Sequence, residues 1–132
     1  ANYVPFVITG NLVYVSGQIT KLNDDLMYVG RVGDTFSVDD GYQAARICAI
    51  NQIAQIKEAC FGDLDRVTQV VKLGGFVNCT PDFTQMPQVV NGASDLMVEI
   101  FGDAGKHARF AVGAASLPLG IAVEVDGIFE IS

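Results

Sequence analysis

The longest regular pattern in the sequence is helical and lies in "DDGYQAARICAINQIAQIKEACFG", residues 39–62. Apolar residues recur at the spacing of one helix face: Ala45, Cys48, Ala49 and Ala54, with Ile50, Ile53 and Ile56 nearby. Ser37 and Asp40 have the spacing of a capping box, and Gly62 can end the helix. The pattern therefore predicts a helix over about residues 38–60, which needs an apolar surface to pack against.

β-prone segments stand on both sides of this helix. "YVPFVITGNLVYVSGQIT" predicts a hairpin, with strands at about Val4–Thr9 and Leu12–Ser16 joined by a Gly-Asn turn. "DRVTQVVKLGGFVN" predicts a long strand, in which Gly74-Gly75 indicates either a bulge or a close approach of another backbone. "ARFAVGA" and "IAVEVDGIFEI" predict closing strands.

A second helix is predicted from about Met86 to Phe101, with Pro87 tolerated in its first turn. One face of this helix is apolar: Val89, Val90, Ala93, Leu96, Met97 and Ile100. The element order favours a single α+β domain over residues 1–132, with one sheet and both helices on one face. Because the strands do not alternate cleanly, the other sheet face would also be apolar, and we expect an oligomer.

Composition excludes several classes of function. The net charge of −7 and the pI near 4.4 leave no basic surface for nucleic acid. No apolar run is long enough to span a bilayer and no signal peptide is visible, so we expect a soluble cytosolic protein. Three cysteines without C-x-x-C spacing predict buried free thiols, and one histidine without a partner at ligand spacing predicts no metal site. No glycine motif for nucleotide phosphates is present.

The segment "KHARFAVGAASLPLGIAVEV" brings three chemically capable residues together: His107, Arg109 and Glu124. If the chain reverses between Ser116 and Leu117, Arg109 lies opposite Glu124 on a neighbouring strand. Spacing alone favours a structural ion pair. The alternative is a guanidinium that binds a substrate carboxylate beside a carboxylate that positions water or transfers a proton. His107 is predicted to be a surface or interface side chain.

The chain resembles the reactive-intermediate deaminase (RidA, YjgF-type) family, also called endoribonuclease L-PSP. "GNLVYVSGQI" resembles the first hairpin of the family, "YQAARICAINQIAQIKEA" its first helix, and "FVNCTPDF" its passage from strand to helix. "ARFAVGAASLPLGIAVEV" resembles the closing signature, in which an arginine precedes Leu-Pro and a Val-Glu-Val sequence. The resemblance covers nearly the whole chain.

The resemblance implies a chorismate-mutase-like α+β fold and a homotrimer with clefts between subunits. It also implies cofactor-independent hydrolysis of enamines and imines such as 2-aminoacrylate to 2-keto acids and ammonia. Arg109 matches the arginine that binds the substrate carboxylate, and Glu124 matches the glutamate associated with the hydrolytic water. The substrate-binding positions implied by the match are Tyr3, Ser16, Gly17, Asn91 and Ala111.

The sequence also departs from the archetype. Ala111 stands where archetypal members often have cysteine, residues are inserted around "TQMPQ", "GDAGKHA" stands where a proline is usual, and the chain ends in "DGIFEIS". These differences indicate a divergent branch. A non-catalytic trimer that binds small carboxylates is the alternative function, and a ribonuclease is disfavoured by the acidic charge balance.

Overall fold

Two helices and seven strands make up the computed structural model, which describes residues 1–132. In chain order these elements are β1 Phe6–Thr9, β2 Leu12–Gln18, β3 Lys21–Leu22, β4 Asp25–Leu26, α1 Val38–Ala59, β5 Val67–Asn78, α2 Met86–Phe101, β6 Ala108–Ala114 and β7 Val123–Ile131. Ser37 caps α1: its hydroxyl accepts from the backbone N–H of Asp40, whose side chain accepts in return from the backbone of Ser37.

Five strands form one mixed sheet in the order β1-β2-β7-β5-β6, while β3 and β4 pair separately. All neighbours in the five-stranded sheet are antiparallel except β5 and β6, which run parallel and are connected through α2. Both helices pack on one face, where α1 contacts β2 and β7 and α2 contacts β5 and β6. The predicted α+β architecture is confirmed.

The core lies between this sheet face and the helices and contains 25 buried residues. Its large members include Leu73, Met97 and Phe129. All three cysteines are buried and unpaired, as predicted. The apolar spacing predicted more buried helix residues than the structure contains: Ile50, Ala54 and Ile100 are exposed.

Gly74 and Gly75 are explained by close approach rather than by a bulge. A Cβ on Gly75 would lie 2.6 Å from methyl carbons of Val90 on α2. The register shifts of β5 against β7 fall earlier, between Val67 and Gln69 and between Val70 and Lys72. Gly75 therefore allows α2 to pack directly against the sheet.

The second face of the sheet carries no helix and has apolar residues on both halves, with Glu124 and Asp126 of the central strand β7 between them. Phe76 and Phe110 pack edge to face with ring centroids 5.2 Å apart, and Val112 is paired with Phe76 in the register. Val7 and Tyr14, also paired with each other, are exposed on the opposite half of the sheet. We refer to this surface as the open face. Neither α1 nor α2 combines the length and the hydrophobicity that a membrane-spanning helix needs.

Candidate active site

Arg109 lies on the edge strand β6 and points toward the helices, where α2 fixes its guanidinium. Its Nη1 donates to Oδ1 of Asn91 at 2.8 Å and to Oγ of Ser94 at 3.1 Å. Asn91 and Ser94 are three residues apart on α2 and therefore share one face of the helix. None of the three salt bridges of the chain includes Arg109. The guanidinium is held in place without a carboxylate to neutralise it.

The predicted pairing of Arg109 with Glu124 is wrong. Strand β5 lies between β6 and β7, so Arg109 is opposite Leu73 while Glu124 is opposite Phe76. The side chains also project from opposite faces, since alternation places Arg109 with buried Leu73 and Glu124 with exposed Phe76. A structural ion pair within one chain is therefore absent, and so is a single site containing both groups.

Glu124 belongs to a second group of predicted residues. It lines a cavity of about 610 Å³ together with Tyr3, Ser16 and Gly17. The cavity forms where β2 changes register against β7 between Val15 and Gln18. Pro118 and Leu119, from the Leu-Pro segment, line another side of it.

Buried hydrogen bonds hold this bulge. The side chain of Gln52, fully buried on α1, donates to the carbonyls of Ser16 and Val125 at 3.0 and 2.7 Å. The hydroxyl of Ser16 donates to the carbonyl of Val4 at 2.7 Å, so it ties down the segment that carries Tyr3. Ser16 therefore shapes the cavity through its backbone and its bond to Val4.

The environment of Glu124 alters its acidity. Burial raises the pKa of this carboxyl, and the negative charge of Asp126 raises it further. A Cβ on Gly17 would collide with a carboxylate oxygen of Glu124, which explains why glycine stands at that position. A carboxyl with a raised pKa beside a cavity is suited to exchange protons with a bound molecule.

The predicted site residues thus form two separate groups. Asn91 and Arg109 lie together at the β6 edge, and Ala111 follows on the same face of that strand, packed against the core. We call these three residues the arginine half. Tyr3, Ser16, Gly17 and Glu124 form the second group, which we call the glutamate half.

Sequence reasoning missed the role of Ser94 and underestimated His107. His107 is half-buried, and its two ring nitrogens lie 2.9 Å from Oγ of Ser94 and 2.6 Å from the carbonyl oxygen of Gly105. The three-residue spacing of Asn91 and Ser94 was the available signal for Ser94. The role of His107 depends on how the turn before β6 docks on α2, which no local pattern reveals.

Comparisons with known proteins agree with this fold. Residues 1–129 match the family described as "YjgF/chorismate_mutase-like, putative endoribonuclease". The chain belongs to this YjgF/chorismate mutase-like family.

Two relatives are similar over nearly the entire chain. Protein TCP17 of Trypanosoma cruzi is 48% identical over 132 residues, which cover 99% of this chain and 82% of that protein. The crystal structure of Atu1372 from Agrobacterium tumefaciens, described as of unknown function, is 48% identical with a TM-score of 0.98, covering 100% of this chain and 83% of that one.

A more distant structure carries the name suggested by the sequence resemblance. RidA from the Antarctic bacterium Psychrobacter sp. PAMC 21119 is 27% identical with a TM-score of 0.65, covering 99% of this chain and 89% of that one.

Proposed function

We propose that this protein hydrolyses small enamines and imines that carry a carboxylate, of the 2-aminoacrylate type, to 2-keto acids and ammonia. The observation that carries the proposal is the arrangement of Arg109, which is fixed by two hydrogen bonds and has no carboxylate partner in its own chain. Both hydrogens of Nη1 are occupied. The edge formed by Nε and Nη2 is left to bind a carboxylate through two parallel hydrogen bonds.

Glu124 supplies the proton transfers that hydrolysis requires. Protonation of the terminal carbon of the enamine by solvent gives the protonated imine, whose carbon bonded to nitrogen is electrophilic. The oxygen of a water molecule forms a bond to this carbon, the C=N electron pair moves to nitrogen, and Glu124 accepts a proton from the water, which gives a neutral amino alcohol. Glu124 then returns that proton to the nitrogen, the C–N bond breaks with its electron pair leaving on ammonia, and the hydroxyl gives its proton to Glu124 as its C–O bond becomes a carbonyl. No change of oxidation state occurs, and the raised pKa of Glu124 favours this exchange.

The two halves are proposed to meet between subunits of a homotrimer. Within one chain they lie toward opposite sheet edges and on opposite faces. A head-to-tail ring would bring the arginine half of one subunit to the glutamate half of the next, and it would also cover the apolar open face. The partners proposed are therefore a small carboxylate-bearing substrate and two further copies of this chain.

Substitution of Arg109 tests the proposal. Keto acid and ammonia would be measured from freshly generated 2-aminoacrylate with wild type, Arg109→Met and Arg46→Met. Loss of two charge-assisted hydrogen bonds is expected to lower kcat/KM by roughly 10²–10⁴-fold in Arg109→Met. Arg46 is the matched control, because its guanidinium pairs with Glu99 at 3.1 Å on the outer helix surface.

Other outcomes would change the assignment. Equal activity of wild type and Arg109→Met would remove the carboxylate-binding role of Arg109. Binding of 2-ketobutyrate by the wild type without turnover of any imine would favour the non-catalytic alternative. Nuclease-free protein that cleaved RNA would support the endoribonuclease name carried by the family, although only eight basic residues stand against fifteen acidic ones.

A further inference from the structure

A continuous chain of hydrogen bonds leads from the turn before β6 to the guanidinium of Arg109. It runs from the carbonyl of Gly105 to His107, from His107 to Ser94, and from Ser94 to Arg109. The distances along it are 2.6, 2.9 and 3.1 Å. Nothing in the reaction proposed above requires Ser94 or His107 to touch the reacting atoms.

The chemistry of the participants fixes the direction of each hydrogen bond. The carbonyl oxygen of Gly105 can only accept, so Nδ1 of His107 carries the hydrogen and donates it. In the neutral imidazole Nε2 is then an acceptor, and the hydroxyl of Ser94 donates to it. The oxygen of Ser94 is left as an acceptor, which is what the Nη1 group of Arg109 needs.

The turn at residues 102–105 positions the carbonyl of Gly105, the first group in this chain of hydrogen bonds. A Cβ on Gly105 would collide with the backbone carbonyl of Met97 on α2, so glycine allows the turn to lie directly against the helix. This contact sets the carbonyl of Gly105 and the ring of His107 beside Ser94. The hydroxyl of Ser94 is therefore bonded to His107 and Arg109 and not to the backbone of its own helix, which is the alternative partner for a serine inside a helix.

We propose that Ser94 and His107 are positioning residues that orient the free edge of Arg109 toward a substrate carboxylate. Asn91 and Ser94 together occupy both hydrogens of Nη1, so the guanidinium plane is fixed at two points. Rotation of that plane would misalign the two parallel bonds that carboxylate recognition uses. This inference rests on the proposed role of Arg109. Arg109 binds the substrate carboxylate, whereas Ser94 and His107 act only through Arg109.

The tautomer of His107 sets the direction of its hydrogen bond to Ser94. With the hydrogen on Nε2, the oxygen of Ser94 would accept from both His107 and Arg109, and the unprotonated Nδ1 would face the carbonyl oxygen of Gly105 at 2.6 Å, where neither atom can donate. With the hydrogen on Nδ1, the serine proton is committed to His107. The proposal therefore requires the Nδ1–H form.

The first experiment reads the tautomer directly. The chain has a single histidine, so a long-range ¹H–¹⁵N spectrum of uniformly labelled protein contains one imidazole signal set. In alkaline solution, where the imidazole is neutral, a pattern with protonated Nδ1 and unprotonated Nε2 is expected. The Nε2–H pattern, or averaged nitrogen shifts typical of a freely exchanging ring, would overturn the proposal. This readout does not depend on any enzymatic activity, so it separates the inference from the proposed reaction.

The second experiment measures carboxylate recognition in Ser94→Ala, Ser94→Thr and His107→Ala. Kd for 2-ketobutyrate and KM for the imine are expected to rise about tenfold in Ser94→Ala, with kcat changed much less, because one hydrogen bond to a charged group is lost. Ser94→Thr keeps the hydroxyl and should restore most of the affinity. His107→Ala should weaken binding less than Ser94→Ala, because it removes the partner of Ser94 and leaves the acceptor for Arg109.

Thermal unfolding of each variant separates misfolding from mispositioning. Unchanged Kd and KM in a folded Ser94→Ala protein would refute the positioning role, as would equal loss in Ser94→Ala and Ser94→Thr. If no imine is turned over by the wild type, Kd for 2-ketobutyrate still decides the question. Failure of the proposed reaction and failure of this inference are thus distinguishable.

Discussion

The proposed division of the candidate site between two subunits of a trimer predicts a specific result for mixed trimers. Arg109→Met removes the arginine half and Glu124→Gln removes the glutamate half, so each homotrimer should be inactive. In a head-to-tail ring each site joins Arg109 of one subunit to Glu124 of the next. Any heterotrimer of the two variants, in either 2:1 or 1:2 composition, then contains one junction at which both groups are intact.

The expected activity of purified heterotrimers is about one third of wild type per trimer, because one of three junctions is complete. Two differently tagged variants would be co-expressed, and heterotrimers would be isolated by tandem affinity purification before the keto-acid assay. Heterotrimers of Arg109→Met and Arg109→Gln provide the control, because both variants lack the same half and no junction is restored.

Two results would refute the reasoning. Inactive heterotrimers of Arg109→Met and Glu124→Gln, intact by sedimentation, would mean that the halves do not meet across the interface. Substantial activity in the Glu124→Gln homotrimer would mean that Glu124 is not the proton-transferring group. The activity of the control heterotrimer is the background with which both results are compared.

Three further perturbations test other parts of the structure. Asp126→Asn should move the acid limb of the kcat/KM pH profile to lower pH, because removing a neighbouring negative charge lowers the raised pKa of Glu124. If the acid limb did not move, the titration of Glu124 would not be the cause of that limb. Gly92→Ala should lower the free energy of unfolding by about 1–3 kcal/mol in urea titrations, since its Cβ would collide with a backbone carbonyl of α1; wild-type stability would contradict that contact. Val112→Glu on the open face should dissociate the oligomer in sedimentation velocity. Val98→Glu on α2 should leave the oligomer intact, and it is a matched control because the two valines are 41% and 39% exposed.

Sequence patterns predicted the helices well because the signals for helices are local. The capping box at Ser37 and the apolar spacing after it placed α1 within a residue of its observed end, and α2 matched its predicted range. Strand alternation likewise explains why Phe110 and Val112 lie on the face of β6 opposite to Arg109. These features depend only on residues close in sequence.

Strand order depends on contacts that local patterns do not contain. The assumption that β6 and β7 are neighbours followed from their closeness in sequence, but β5 lies between them and runs parallel to β6. The hydrogen bond between Ser94 and His107 is hidden for the same reason: it links a helix to a segment positioned by the packing of Gly105 on α2. Periodicity could identify the faces of each element but not which faces meet.

The same topology allows one half of the candidate site to change without the other. The arginine half depends on contacts between α2 and β6, so Ser94 and His107 can support Arg109 without any change in the glutamate half. The glutamate half depends on the β2 bulge and on Gln52, which lie at the other end of the sheet. Since Arg109 and Glu124 lie on different strands and on opposite faces of the sheet, each half has its own supporting residues. Ala111 lies in the arginine half and packs against the core, so a cysteine at this position would lie on the face of β6 that carries Arg109 and not on the sheet face that carries Glu124.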